Sequence, residues 1–380
     1  MAFRAIGKYA IVTGANEPSI GFNAARKLAA SHGFRVVLAC RNKERGAAAE
    51  AAIRTQHPEA WARFLQLDLG SLDSVRSFVD AFRALDGDEP RQSGLALLVN
   101  NAGVGFSRAQ PRRTTADGFE ELIGVNHLGP FLLTQLLLPD LQRCKTPARV
   151  VVVSSSLHDP RASRGFEPVP ELLELEEMLG WARWGAEGGD AAEGVAAAPF
   201  DAGLAYRRSK LANLLFAYEL QRRLSSSAEL PASPGGSPAR STSGVQVVSL
   251  NPGFIPATGL VRESGMLGRF FLRWVLDGLL KWAGLVSFTR SVDDGGDCIV
   301  GCATDATAVG GKYYELAREG SEGVLRSHES SVESRDEAKA KALWQISTKL
   351  TGSAGSVLDL AHHSPIASPV GSPARPAGHV

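Results

Sequence analysis

Cysteine is scarce in this chain, with four among 380 residues: Cys40, Cys144, Cys298 and Cys302. They form no CxxC pair and no framework spacing, which excludes a disulfide-stapled scaffold and suits a reducing compartment. Cys298 and Cys302 stand one helical turn apart without a His or a third Cys nearby, so they read as two small helix residues and no metal site is expected. An excess of one charge is also lacking. Forty-one basic against 40 acidic residues leave a net charge of +1, so no global field draws the protein to nucleic acid or to an anionic membrane. No run of 18 uncharged apolar residues occurs, which argues against an ordinary transmembrane helix. The N-terminus lacks a charged region followed by an apolar one, so no targeting peptide is expected, and the expected location is cytoplasmic or peripheral to a membrane.

What is present is 44% hydrophobic residues, ample for a buried core. Short β-rich runs alternate with helical patterns: strand 9–13, helix 23–31, strand 35–39, helix 43–56, strand 64–67, helix 72–85 and strand 95–100. The rhythm continues through a helix near 118–141, a strand 149–153, a helix 206–224 and a strand 245–250. Strict alternation requires crossover connections, hence a parallel sheet covered on both faces. The fold class is α/β: a Rossmann-type doubly wound sheet of six or seven strands, three layers α/β/α, in one domain over residues 1–350. Three segments break the rhythm. Residues 158–202 are an acidic, Gly/Ala-rich insertion with a helix-like core over 169–184. Residues 225–243 are a Ser/Pro/Gly loop, and 351–380 read as a disordered tail of similar composition.

The first strand runs into Thr13-Gly14-Ala15-Asn16-Glu17-Pro18-Ser19-Ile20-Gly21 and then a helix. Glycines there let the backbone approach a pyrophosphate, whose charge the free N–H groups and the positive helix end stabilise. The second strand ends at Arg41, with no Asp or Glu from 35 to 43. An NAD-preferring fold needs an acid here for the ribose 2′-OH, whereas a 2′-phosphate needs a cation, so the expected cofactor is NADP(H). Asp68-Leu69 and Asn100-Asn101-Ala102-Gly103 close the third and fourth strands, where ligands bind in such sheets.

Ser154-Ser155-Ser156 follow the apolar strand, and Tyr206-Arg207-Arg208-Ser209-Lys210 opens a helix. Tyr and Lys four apart share a helical face, so the ammonium would favour the phenolate and lower a pKa of about 10 toward neutrality. The tyrosine could then exchange a proton with a substrate oxygen that a Ser hydroxyl also hydrogen-bonds. His127 reads as packing, and His158 as a residue at the edge of this site.

TGANEPSIG, NNAG, Asn126 in GVNHLG, VVSSS, YRRSK and NPG occur in the order and spacing of the short-chain dehydrogenase/reductases, which this chain resembles over roughly residues 8–260. The resemblance implies a catalytic tetrad of Asn126, Ser155, Tyr206 and Lys210. It further implies that Asn101 and Gly103 line the nicotinamide and that Asp68 and Leu69 line the adenine, with Ile255 and Thr258 over the carboxamide and phosphates. Cofactor contacts are thus expected from Gly14, Asn16, Ser19, Ile20, Gly21, Arg41, Asp68, Leu69, Asn101, Ala102, Gly103, Tyr206, Lys210, Ile255 and Thr258. The stretches LDLGSLDSVRSFVDAFR and NPGFIPATGLVRE are similar to the light-dependent protochlorophyllide reductases, and the chain also looks like the retinol dehydrogenase group. Two cysteines of the former are absent, one place holding Phe254, which points to a relative with a different bulky apolar substrate. The glycine turn also departs from the family, with Ser19 for its middle glycine and one residue inserted.

Residues 262–290 fall where the family places a substrate lid. In MLGRFFLRWVLDGLLKWAGL, 266–285, Arg269, Arg273, Asp277 and Lys281 recur every four residues and leave Phe270, Phe271, Trp274, Leu280 and Trp282 on a wide apolar face. The segment is expected to cover an apolar substrate and to touch a membrane surface, or else to pack against a homodimer partner. Two other functions fit parts of the pattern: an extended-type epimerase or dehydratase, and a nucleotide-binding scaffold or redox sensor with little turnover.

Overall fold

A computed structural model describes residues 7–85, 87, 94–107, 111–161, 168–174, 200–228, 244–255, 290–319 and 322–353. The strands are β1 (Tyr9–Thr13), β2 (Arg35–Cys40), β3 (Ala62–Gln66), β4 (Leu95–Asn100), β5 (Ala148–Val153), β6 (Val245–Asn251), β7 (Tyr313–Glu319) and β8 (Glu322–His328). They form one sheet in the order β3-β2-β1-β4-β5-β6-β7-β8, parallel throughout except for the final β7–β8 hairpin. The helices are α1 (Ile20–His32), α2 (Lys43–Gln56), α3 (Leu72–Arg83), α4 (Glu121–Arg143), α5 (Ala202–Ala228), α6 (Val292–Thr304) and α7 (Glu337–Thr351).

Because successive strand residues face opposite ways, the sheet builds two cores. Ala10 and Val12 of β1 join α1, α2 and α6 on one face, while Tyr9 and Ile11 join α3, α4 and α5 on the other. Trp344 of α7 packs on Phe131 and Phe216, so α7 covers α4 and α5 as an outer layer. Helix α4 is long and apolar enough to cross a bilayer, but it lies mostly buried between the sheet and these helices. Fully buried Asp140 staples it to α3 through Arg83 at 2.7 Å. The strand order reverses between β1 and β4. The carboxyl ends of those strands therefore open onto the crevice where doubly wound sheets bind ligands.

Several boundaries differ from the sequence expectation. The antiparallel β7–β8 hairpin lies beyond the six strands with a clear pattern, because its two strands, the outer one at the sheet edge, carry Glu315, Arg326 and His328 and show no continuous apolar run. Helix α5 begins earlier, where Asp201 Oδ1 accepts the Gly203 and Leu204 N–H groups, and runs on through Ser225 and Ser226. Those two hydroxyls bond back to the Gln221 and Arg222 carbonyls, which lets serines continue a helix. Residues 169–174, expected to begin a helix, are irregular: the Glu333 carboxylate accepts the Leu172 and Leu173 N–H groups instead. The segment expected to be a disordered tail starts three residues inside the ordered chain, since α7 ends at Thr351 with Gly352 left-handed after it. The rest of the insertion, the Ser/Pro/Gly loop after 228, the 266–285 stretch and the tail from 354 lie outside the described residues.

Candidate active site

At the carboxyl end of β1 the glycine turn rests directly on the turn after β4. Gly14 has φ of 68°, and a Cβ there would stand 3.0 Å from Ala102 Cα. At Gly21 a Cβ would fall on Asn101 Nδ2 and 2.8 Å from the Gly14 carbonyl oxygen. Thr13 locks the two turns: its Oγ1 accepts the Asn101 and Ala102 N–H groups, both at 2.9 Å, and Asn101 Nδ2 donates to Thr13 O at 2.7 Å. Ser19 is extended and serves as the N-cap of α1, its Oγ accepting the Phe22 N–H and donating to Gly14 O. A glycine is not required there, which explains how the turn departs from the family pattern. The first turn of α1 carries no acid of its own, which leaves its positive end open to an anion.

The residues expected around the far end of a dinucleotide sit along the same edge. Arg41 is exposed beyond β2 and has no side-chain partner among the described residues. Arg45, which the sequence reading did not select, lies on the first turn of α2 and reaches back to the Glu17 carbonyl and to Asn16 Oδ1 at 2.9 Å. Only its place one turn after Arg41 could have flagged it. Asp68 turns inward to accept the Gly70 N–H at 2.9 Å, and Leu69 is buried. Ile255 is buried beside Ile20 and Gly295, so the chain after β6 meets the start of α1. Thr258 lies outside the described residues.

The tetrad residues converge where β5, α4 and α5 meet. Asn126 stands in a π-helical turn, 124–128, within α4. Its amide accepts the Val104 N–H at 2.8 Å and donates to Val104 O at 3.1 Å and to Ser209 Oγ at 3.0 Å. The side chain is thereby committed to holding the NNAG loop against α5. A Cβ on Gly103 would touch both Asn126 Oδ1 and Lys210 Nζ. Ser154 donates to Lys210 O at 2.7 Å and fastens β5 to α5, whereas the Ser155 hydroxyl accepts the Leu157 N–H at 3.3 Å and lies close enough to the Tyr206 phenol to influence its proton affinity. Lys210 Nζ lies 5.6 Å from the centre of the Tyr206 ring and makes one long contact, 3.5 Å, to Val153 O.

The electrostatics differ from the expectation of a phenol brought toward neutrality. Burial pushes the Tyr206 phenol up to about 12, with the Ser155 hydroxyl only partly opposing it, and pushes Lys210 down to about 8. Both groups lose water when charged, and that loss outweighs their proximity. Around Tyr206 lie Val104, Phe106, Leu157 and Phe200, partly buried, with the Phe106 ring centre 5.2 Å from that of Tyr206. His127 is buried between α4 and α7, Nε2 2.9 Å from Ser347 Oγ, in keeping with a packing role. His158, expected at the edge of the site, is instead buried beneath it with both ring nitrogens engaged.

Comparison with known proteins agrees with this geometry. The short chain dehydrogenase family model matches residues 8–163. The protochlorophyllide reductase of Pisum sativum is 32% identical over 349 residues, 90% of this chain and 77% of the relative. Retinol dehydrogenase 11 of Homo sapiens is 34% identical over 353 residues, 91% of this chain and 86% of the relative. Among solved structures, L-sorbose reductase of Gluconobacter frateurii, complexed with NADPH and L-sorbose, shares the fold. Its TM-score is 0.54 at 17% identity, covering 83% of this chain and 97% of the other. The chain belongs to the short-chain dehydrogenase/reductase family and is by that membership an oxidoreductase.

Proposed function

We propose that this protein transfers hydride between NADP(H) and a carbonyl or alcohol, or a similar double bond, of a bulky apolar substrate, with Tyr206 as proton donor and acceptor. The observation that carries the reading is the meeting of Ser155, Tyr206 and Lys210 beside the glycine turn, at the edge of the sheet where its order reverses. The residues present fit a dinucleotide. Among the described residues Asn101 Oδ1 is buried without a hydrogen-bond partner, and Lys210 Nζ has donor capacity left over. The N-terminal end of α1, which bears no acid in its first turn, suits a pyrophosphate, and Arg41 with Arg45 suits a 2′-phosphate. The NADPH complex of the sorbose reductase supports the same choice. When bound, the nicotinamide supplies or accepts the hydride.

The chain's own residues handle the proton and the oxygen. Ser155 donates a hydrogen bond to the substrate oxygen as negative charge develops on it, and the Tyr206 phenol delivers the proton. A phenol held near 12 is protonated at neutral pH, the form that reduction uses. Oxidation needs the phenolate, and its rate should keep rising above pH 8. Lys210, when charged, stabilises that phenolate, and Asn126 holds the loop that lines the site. The apolar wall of Val104, Phe106, Leu157 and Phe200 supports a bulky apolar substrate. Phe254, where the protochlorophyllide reductases carry Cys, supports a substrate other than theirs. A panel of apolar aldehydes, ketones and quinones, with NADPH oxidation followed by absorbance, tests the reading. Tight NADPH binding without turnover of any of them would instead favour a scaffold or redox sensor.

A further inference from the structure

Beneath Ser155 runs a buried chain of hydrogen bonds that the proposed chemistry does not use. His158 is 3% exposed, with Nδ1 2.6 Å from the Ser155 carbonyl oxygen, while the Ser331 backbone N–H donates to Nε2 at 3.0 Å. A carbonyl only accepts and a backbone N–H only donates, so the two contacts require the neutral ring with its proton on Nδ1. The chain continues through the turn after β8. Ser334 Oγ donates to Ser331 O at 2.7 Å, the Ser330 and Ser334 hydroxyls are 2.6 Å apart, and Ser330 meets the Tyr218 hydroxyl at 2.7 Å. Tyr218 is on α5, the helix that also carries Tyr206 and Lys210. Ser155 is therefore tied, through a segment more than 170 residues away in sequence, to the helix whose phenol it faces.

We infer that His158 is a positioning residue: as the neutral Nδ1–H tautomer it clamps the Ser155 backbone to the 330–334 turn and so sets the Ser155 hydroxyl against Tyr206. The inference rests on the proposed function for its kinetic consequence. A rigid second layer matters because a displacement of about 1 Å in a catalytic group can cost on the order of a hundred-fold in rate. The clamp is also sensitive to acid. Protonated, Nε2 becomes a donor facing the Ser331 N–H, and that contact is lost. Burial keeps the ring below its ordinary 6.5, opposed by the Ser155 carbonyl and by Asp159 and Glu315, and aided by His328. The Tyr313 ring packs edge-on against it at 5.2 Å. An acid limb below pH 6.5 is the expected signature.

Two substitutions in the full-length protein test this. His158→Asn keeps a donor near the Nδ1 position and no acceptor for Ser331, whereas His158→Leu keeps bulk and neither bond. His158→Leu should lower kcat at least ten-fold with the NADPH dissociation constant within two-fold of wild type. His158→Asn, which keeps the Ser155 bond and loses the Ser331 bond, should recover only part of that kcat and lose the acid limb. Equal kcat in all three proteins, or a His158→Asn variant slower than His158→Leu, would overturn the positioning role. Crystal structures of the variants give a second readout without substrate: Ser155 should move in His158→Leu and move less in His158→Asn. If the wild type turns over no carbonyl, the proposed activity fails, and an unmoved Ser155 in His158→Leu would separately refute the clamp.

Discussion

Replacing Gly21 by alanine probes the contact on which the cofactor end of the site is built. The new Cβ would lie on Asn101 Nδ2 and 2.8 Å from the Gly14 carbonyl oxygen. The Asn101 amide can swing aside only by giving up its 2.7 Å bond to Thr13 O, and the Gly14 carbonyl belongs to a turn with little freedom to move. Overpacking of this kind costs about 1–3 kcal/mol, and the lost hydrogen bond of a buried amide adds about 1 kcal/mol. The total of roughly 2–4 kcal/mol corresponds to a fall in Tm of roughly 3–5 °C in a domain of this size. NADPH affinity should fall at least ten-fold as the turn shifts. Gly301→Ala is the matched control. It lies in α6, its Cβ would meet Leu325 at an ordinary 3.6 Å, and it should gain about 0.5–1 kcal/mol with NADPH binding unchanged. Thermal unfolding and NADPH titration of both proteins read the effect. A Gly21→Ala protein melting within a degree of wild type, with unaltered affinity, would refute the turn-on-turn account.

Arg41→Asp should weaken NADPH binding by about 2 kcal/mol, roughly thirty-fold, and NADH binding much less; equal losses in calorimetric titrations would show that Arg41 does not meet the 2′-phosphate. Burial holds His127 down at about 3, so the unfolded chain takes up its proton from 6.5 downward while the folded protein does not. Stability should therefore fall as pH drops from 6.5 toward 3, by about 2 kcal/mol from this residue alone near pH 5. A Tm–pH profile for His127→Asn that is no flatter than wild type would contradict this. We propose, on sequence grounds, that 266–285 rests on a membrane surface: wild type should pellet with anionic liposomes and Trp274→Glu/Trp282→Glu should not. Wild type remaining in the supernatant would remove that proposal.

Much of the fold is legible in the sequence because both faces of the central strands are buried. β1, β2, β4, β5 and β6 read as apolar runs, and crossover helices between them leave few topologies open. The last strands and α7 are harder to read. The β7–β8 hairpin is an edge with charged residues, and what α7 covers depends on Phe131 and Phe216, more than 120 residues earlier. The candidate site divides in the same way. Spacing alone brings Tyr206 and Lys210 onto one helical face and Ser155 to a strand end. It carries no information on desolvation, which sets the proton affinities of both groups. Nor does local pattern connect Ser19 with its capping role, Arg45 with the glycine turn, or His158 with Ser331, since each depends on where a distant backbone group comes to lie.

Proton transfer by Tyr206 is the step on which the proposed activity depends most directly. Tyr206→Phe removes one hydroxyl and almost no packing, so NADPH should bind within two-fold of wild type. Turnover of any substrate found in the NADPH screen should fall on the order of a hundred-fold or more. A variant that retains more than half the wild-type kcat would contradict the mechanism.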